Sequence, residues 1–156
     1  MDFDNTIVTY DAVMHQVALE QGWIEPQLQK SKKQIQDHIR LLSDGQRKWQ
    51  QLQATVYGQR IRKAQLMDGV REFLKSCTKH EIKVYIISHK TRYSNLGESK
   101  DDLRVAALDF MRQNGFFDEN LLNLPVDSVY FESTREEKVS RIKTLHCTHF
   151  IDDLEE

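Results

Sequence analysis

The chain has 156 residues, of which 39% are hydrophobic and 29% charged, and its formal net charge is -2. This composition is ordinary for a globular protein, and the length suits one domain with a substantial core and excludes two full-size domains. No apolar run approaches the roughly 18 residues of a membrane span, so we expect no membrane partner. The first residues are acidic, unlike a secretory signal, so we expect a cytoplasmic location.

The first half of the chain reads as helical after a short start. Residues 1–8 predict the end of a strand that runs into a carboxylate-rich turn. Apolar residues then recur at helical spacing, which predicts helices at residues 10–21, 26–42 and 46–65. We therefore interpret residues 10–66 as an all-helical insert.

Basic residues are concentrated in this insert. Between residues 27 and 66, nine basic residues stand against only Asp37 and Asp44. The nine are Lys30, Lys32, Lys33, Arg40, Arg47, Lys48, Arg60, Arg62 and Lys63. The rest of the chain is correspondingly acidic, which indicates an acidic body that carries a basic appendage.

After residue 68 the pattern changes to alternating strands and helices. Residues 83–88 form a compact run of branched and aromatic residues that predicts a buried parallel strand, and residues 129–131 and 149–151 predict two more. A helix follows Ser99 as its predicted N-cap. Thr134 with Glu137 three residues later matches a capping box at the start of the last helix. This alternation predicts an α/β fold with a parallel sheet flanked by helices.

Polar residues that could carry chemistry stand at the ends of the predicted strands, where open α/β sheets place their sites. Asp2 and Asp4 are spaced by two in an extended segment, so their carboxylates point the same way, and Thr6 completes a DxDxT string. Ser88 ends the strand at residues 83–88. Such a hydroxyl or its amide can donate to a phosphoryl oxygen, although a serine at a strand end is commonplace.

Two further groups lie toward the end of the chain. Lys138 falls near the first turn of the helix capped by Thr134, where its cation could neutralise a phosphoryl group. Asp152 and Asp153 follow an apolar run, and adjacent carboxylates in such a place favour a hard metal such as Mg²⁺. Alternatively, Lys138 is a solvated lysine, and Asp152 and Asp153 belong to an acidic tail.

The order of these groups resembles the four motifs of the haloacid dehalogenase superfamily of hydrolases. The resemblance spans most of the chain and includes the segment Asp68–Leu74 ahead of the second motif. It implies a Rossmann-like fold with residues 1–9 and 67–156 as the core domain and residues 10–66 as a helical C1-type cap. Only Met1 precedes Asp2, and three residues follow Asp153, so we expect that the first and last sheet strands could be truncated.

The resemblance also implies a function and a role for each residue. It implies an Mg²⁺-dependent phosphatase that forms an aspartyl-phosphate on a small phosphorylated substrate. Asp2 would be the nucleophile and Asp4 the general acid and base, and Lys138 would offset charge. Thr6 would brace the turn, and Ser88 would bind the phosphoryl group. The metal ligands would be Asp2, the main-chain carbonyl of Asp4, and Asp152 or Asp153, with Asp153 favoured.

Other functions remain open. A catalytically silent module of the same fold could bind an anionic partner through the basic insert, and a phosphomutase or dehalogenase shares the fold. Trp49 and Tyr57 could stack on bases, but their helical spacing is more typical of a core, which disfavours nucleic acid as the partner. The two cysteines, Cys77 and Cys147, predict reduced thiols. The sequence leaves the substrate and the oligomeric state open.

Overall fold

Six α-helices supply most of the regular structure in residues 1–94 and 101–154, which are the residues that this computed structural model describes. The helices are α1 (Asp11–Glu20), α2 (Lys32–Arg40), α3 (Gly45–Tyr57), α4 (Val70–Lys79), α5 (Leu103–Gln113) and α6 (Arg135–Thr144). The strands are β1 (Val8–Thr9), β2 (Gln65–Leu66), β3 (Ile86–His89) and β4 (Val129–Glu132). Two 3₁₀ turns cover Ile61–Lys63 and Val126–Ser128.

The strands form two separate pairs. β1 and β2 are antiparallel, with Val8 opposite Leu66. β3 and β4 are parallel, with Ser88 opposite Phe131 and His89 opposite Glu132. In β3 the first three residues are all buried, which agrees with a strand covered on both faces.

The predicted Rossmann-like parallel sheet is wrong, because the described residues contain only these two two-stranded sheets. Isolated main-chain hydrogen bonds take the place of the expected central strand. The Met1 amine donates to the Tyr85 carbonyl (2.7 Å), Ile87 N–H donates to Met1 (3.0 Å), and Asp2 N–H donates to Ile151 (2.8 Å). These bonds connect the N-terminus to residues 85–87 and to Ile151, but they do not continue along the chain as a strand ladder. Neither the first nor the last predicted strand therefore forms.

The helices of residues 10–66 pack on one another, with α1 contacting both α2 and α3. α2 begins at Lys32, later than predicted, because tertiary contacts engage the chain ahead of it. Asp11 accepts a hydrogen bond from Lys32 N–H (2.9 Å), and the His15 ring nitrogen lies 2.8 Å from the Leu28 carbonyl oxygen. α3 ends at Tyr57, before Gly58, and not at residue 65. The division into core and cap domains remains a prediction.

The helices after residue 68 follow the sequence signals closely. The predicted capping box is confirmed: Thr134 accepts from Glu137 N–H, and the Glu137 side chain accepts from Thr134 N–H. The N-cap of α5 is Asp102, which accepts from two N–H groups of the first turn. The N-cap predicted at Ser99 lies outside the described residues.

Phe3 lies at the centre of the hydrophobic core and has no exposed surface. Its ring makes edge contacts with Phe110 of α5 (centroids 6.2 Å apart) and Phe131 of β4 (6.1 Å). The chain bends at Phe3. The flanking Asp2 and Asp4 stay out of the core and pair with Lys138 and Lys90, respectively.

Candidate active site

Asp2 is the most deeply buried carboxylate of the site, with 5% of its surface exposed. Burial raises its pKa, an effect that the Lys138 charge and the nearby Ser88 hydroxyl partly offset. A carboxylate that has lost its water and is not fully compensated is a stronger nucleophile and a stronger ligand for a cation than a solvated one. Asp2 therefore has the environment expected of a reactive group.

Lys138 joins two of the predicted carboxylates. Its ammonium lies 3.2 Å from Asp2 Oδ1 and 2.6 Å from Asp152 Oδ2, and it stands over the Phe150 ring. Burial disfavours the charged lysine, but the hydrogen bond to Asp152 and the charge of Asp2 outweigh it and raise the pKa of Lys138. Burial also opposes ionisation of Asp152, but its hydrogen bond to Lys138 prevails and lowers its pKa. Lys138 therefore stays charged at neutral pH.

Three carboxylates converge at one point. Asp2, Asp152 and Asp153 each offer an oxygen, and these oxygens lie within 4.8 Å of one another. Octahedral Mg²⁺ with bonds of about 2.1 Å needs ligand oxygens roughly 3–4 Å apart, so a small inward shift would suffice. An all-oxygen donor set of this kind matches the preference of a hard divalent cation. The three carboxylates could therefore hold a hard metal cation, and its identity as Mg²⁺ stays a prediction.

The Asp4 side chain lies apart from this acidic cluster. Both of its oxygens contact Lys90, at 3.1 and 2.9 Å, and Oδ1 also accepts a hydrogen bond from the Tyr10 hydroxyl at 2.5 Å. Burial, followed by the charge of Asp4, raises the pKa of Tyr10 well above its usual value, so Tyr10 remains a donor. The sequence prediction that Asp4 ligates through its main-chain carbonyl stays a prediction.

Three residues of the predicted site have buried polar atoms without a hydrogen-bond partner. Among the described residues these atoms are Thr6 Oγ1, Ser88 Oγ and Asp2 Oδ1, of which Asp2 Oδ1 is ion-paired with the Lys138 ammonium 3.2 Å away. Ser88 is 1% exposed. Unpaired buried polar atoms cost free energy and are rare in native proteins unless a ligand satisfies them. All three belong to residues that the sequence placed in the site, and the hydroxyls of Thr6 and Ser88 could bond a polar ligand.

The structure adds four residues that the sequence reasoning did not place in the site. Asn5 adopts a positive φ of 56° and donates through Nδ2 to Asp153 Oδ2 (3.2 Å). Asn tolerates this left-handed conformation better than most residues, and this preference was the sequence signal that could have pointed to Asn5. Lys90 stands two residues after Ser88, a spacing that the strand-end argument could have included. Tyr10 and Tyr57 come from the insert and carry no comparable signal.

Tyr57 of α3 is the second aromatic residue that the helical insert contributes to the site. Its ring packs edge-on against Tyr10, with centroids 4.7 Å apart, and Lys90 lies over it at 5.2 Å. Burial, together with the charges of Asp4 and Asp153, raises the pKa of Tyr57. Two aromatic residues of the helical insert therefore border the carboxylates.

No family model, curated protein or solved structure matches the chain. Within the described part of the chain, no helix is long and apolar enough to cross a membrane. The function therefore has to be argued from the site itself.

Proposed function

We propose that this protein is a Mg²⁺-dependent phosphomonoester hydrolase that forms an aspartyl-phosphate on Asp2. One observation carries the proposal: Asp2, Asp152 and Asp153 converge with the buried Lys138 beside the unpaired hydroxyl of Ser88. The order of these motifs also resembles that of the haloacid dehalogenase superfamily. The proposal rests on the site and not on the sheet, which differs from the predicted one.

The first half of the reaction is displacement at phosphorus. A carboxylate oxygen of Asp2 forms a bond to phosphorus as the ester bond to the leaving oxygen breaks. Asp4 enters this step in its protonated form, gives the leaving oxygen its proton and becomes a carboxylate. Lys138 offsets the negative charge shared by Asp2 and the phosphoryl group. The unpaired Ser88 Oγ supplies a hydrogen bond to a phosphoryl oxygen.

The second half regenerates the enzyme. Asp4, now a carboxylate, takes a proton from a water molecule as that water attacks phosphorus. The bond between Asp2 and phosphorus breaks, and inorganic phosphate leaves with the oxygen from water. Asp2, Asp153 and Asp152 would hold Mg²⁺, which supplies positive charge next to the phosphoryl oxygens. Of the two adjacent aspartates, Asp153 is the better direct ligand, because Asp152 is already ion-paired with Lys138.

Phosphate release from a panel of phosphomonoesters, with and without Mg²⁺, tests the proposal. Asp2→Asn keeps the side-chain shape and removes the nucleophile, so turnover should fall by several orders of magnitude. The matched control is Asp127→Asn, an exposed carboxylate outside the site. Turnover that needs Mg²⁺, is lost in Asp2→Asn and survives in Asp127→Asn is the expected result.

Two outcomes would reject the proposal. Undiminished hydrolysis by Asp2→Asn would remove the nucleophile from the mechanism. A folded wild-type protein that hydrolyses no member of the panel, with or without Mg²⁺, would favour the silent module predicted as the alternative. That module can be tested separately, by binding of a polyanion such as heparin to the basic residues of the insert.

A further inference from the structure

We infer that Lys90 is a positioning residue that, with Tyr10, fixes the Asp4 carboxyl in the orientation needed for proton transfer. The inference deepens the proposed phosphatase function and rests on it. Lys90 is 4% exposed, and a buried lysine is costly unless its charge is paired. Here the ammonium faces the carboxyl of Asp4 through both oxygens.

The main chain of Lys90 is held firmly on both sides. Its N–H donates to the Glu132 carbonyl at the end of β4 (2.9 Å), and its carbonyl accepts from Arg104 Nε in the first turn of α5 (2.9 Å). Arg104 also donates to the Ser133 hydroxyl (2.8 Å). The main chain of Lys90 is therefore hydrogen-bonded to the end of β4 and to the first turn of α5, which fixes the position from which its side chain extends.

The side chain is confined as well. Lys90 Nζ lies over the rings of Phe3 (5.6 Å) and Tyr57 (5.2 Å), both faces that attract a cation. Phe3 is the buried residue between Asp2 and Asp4, and its ring supports the lysine. The ammonium therefore has one well-defined position relative to Asp4.

Two donors from different directions fix the plane of the Asp4 carboxyl. Lys90 approaches both oxygens, whereas the Tyr10 hydroxyl approaches Oδ1 alone. The Asp4 side chain is 21% exposed, so part of it is accessible to solvent. A misplacement of about 1 Å in a reacting group can cost roughly 100-fold in rate. Loss of either donor should therefore slow proton transfer without removing a contact to the phosphoryl group.

The test compares Lys90→Met, Lys90→Arg and Tyr10→Phe in the full chain. We expect kcat to fall roughly 10- to 100-fold in Lys90→Met and by a smaller factor in Tyr10→Phe, with KM nearly unchanged. Lys90→Arg should recover part of the loss. Tyr10→Phe removes one hydroxyl and keeps the ring, so it tests the inference even where Lys90→Met folds poorly. The matched controls are Lys83→Met and Tyr85→Phe, whose side chains contact each other away from Asp4.

Leaving-group dependence separates positioning from a structural role. An alkyl phosphate needs a proton on its leaving oxygen more than p-nitrophenyl phosphate does, so the variants should lose more activity on the alkyl ester. Slow attack by water should also make the aspartyl-phosphate accumulate with p-nitrophenyl phosphate, as a mass increase on the protein. General packing damage would lower both activities equally and would add no phosphoenzyme.

Several results would overturn the inference. An unchanged kcat in Lys90→Met and Tyr10→Phe, an equal loss on both esters, or a raised KM with constant kcat would each do so, and the last would make Lys90 a substrate-binding group. These results presuppose an active wild-type enzyme. If the wild type hydrolyses neither ester, the proposed function fails first and the inference fails with it, so the two failures are distinguishable.

Discussion

Lys138→Met should destabilise the protein strongly, because it leaves two carboxylates without their cation. Lys138 is 5% exposed and contacts Asp2 at 3.2 Å and Asp152 at 2.6 Å, whose side chains are 8% and 16% exposed. Removing one partner of a buried ion pair costs about 3–5 kcal/mol. Some solvent reaches Asp152, so we expect the lower end, about 3 kcal/mol, and a fall in Tm of roughly 6–12 °C for a chain of this size.

Urea unfolding with and without Mg²⁺ measures this effect. The control is Lys143→Met, an exposed lysine of the same helix, where the substitution changes helix propensity equally little. Mg²⁺ should restore part of the stability lost in Lys138→Met, because a cation bound only by the folded state adds about 2.7 kcal/mol at 100 times its Kd. Equal unfolding midpoints for the two variants would refute the argument that Lys138 compensates buried charge.

Two further substitutions test the metal cluster and the helix that carries Lys138. Asp153→Asn should abolish most of the Mg²⁺-dependent stabilisation in urea, since it removes a charged ligand; an unchanged Mg²⁺ titration would transfer the ligand role to Asp152. Thr134→Ala should lower the free energy of unfolding by about 1 kcal/mol, because the N-cap hydrogen bond to Glu137 is lost. A change within the error of the urea experiment would mean that the Thr134 hydroxyl does not stabilise α6.

Asp2, Asp152, Asp153 and Lys138, which the sequence grouped in one site, lie together in the structure, whereas the predicted sheet does not form. The position of Lys138 is encoded locally, because the capping box fixes where α6 starts. Such signals span five residues or fewer. Local patterns of this kind survive in the fold whatever the distant parts of the chain do.

The sheet depends on pairing, which an apolar run does not specify. The segment at residues 149–151 has the composition of a strand, yet its contact with the N-terminus is the single hydrogen bond from Asp2 N–H to Ile151. The start of α2 likewise depends on Asp11, which lies 21 positions before Lys32. Lys90 and Tyr10 contact Asp4 only because the chain is folded, so these contacts could not be predicted from local sequence patterns.

The charges of the site explain why a divalent cation suits it. Asp2, Asp152 and Asp153 form a cluster that contains one ammonium group, that of Lys138, whereas Asp4 is paired separately with Lys90. With every group ionised, two negative charges remain, which one divalent cation would neutralise. Without that cation the residual negative charge would repel a phosphate dianion. Burial is the main cause of the raised pKa of Asp2, and the charge of Asp4 adds to it, so positive charge placed beside Asp2 would favour its ionised form.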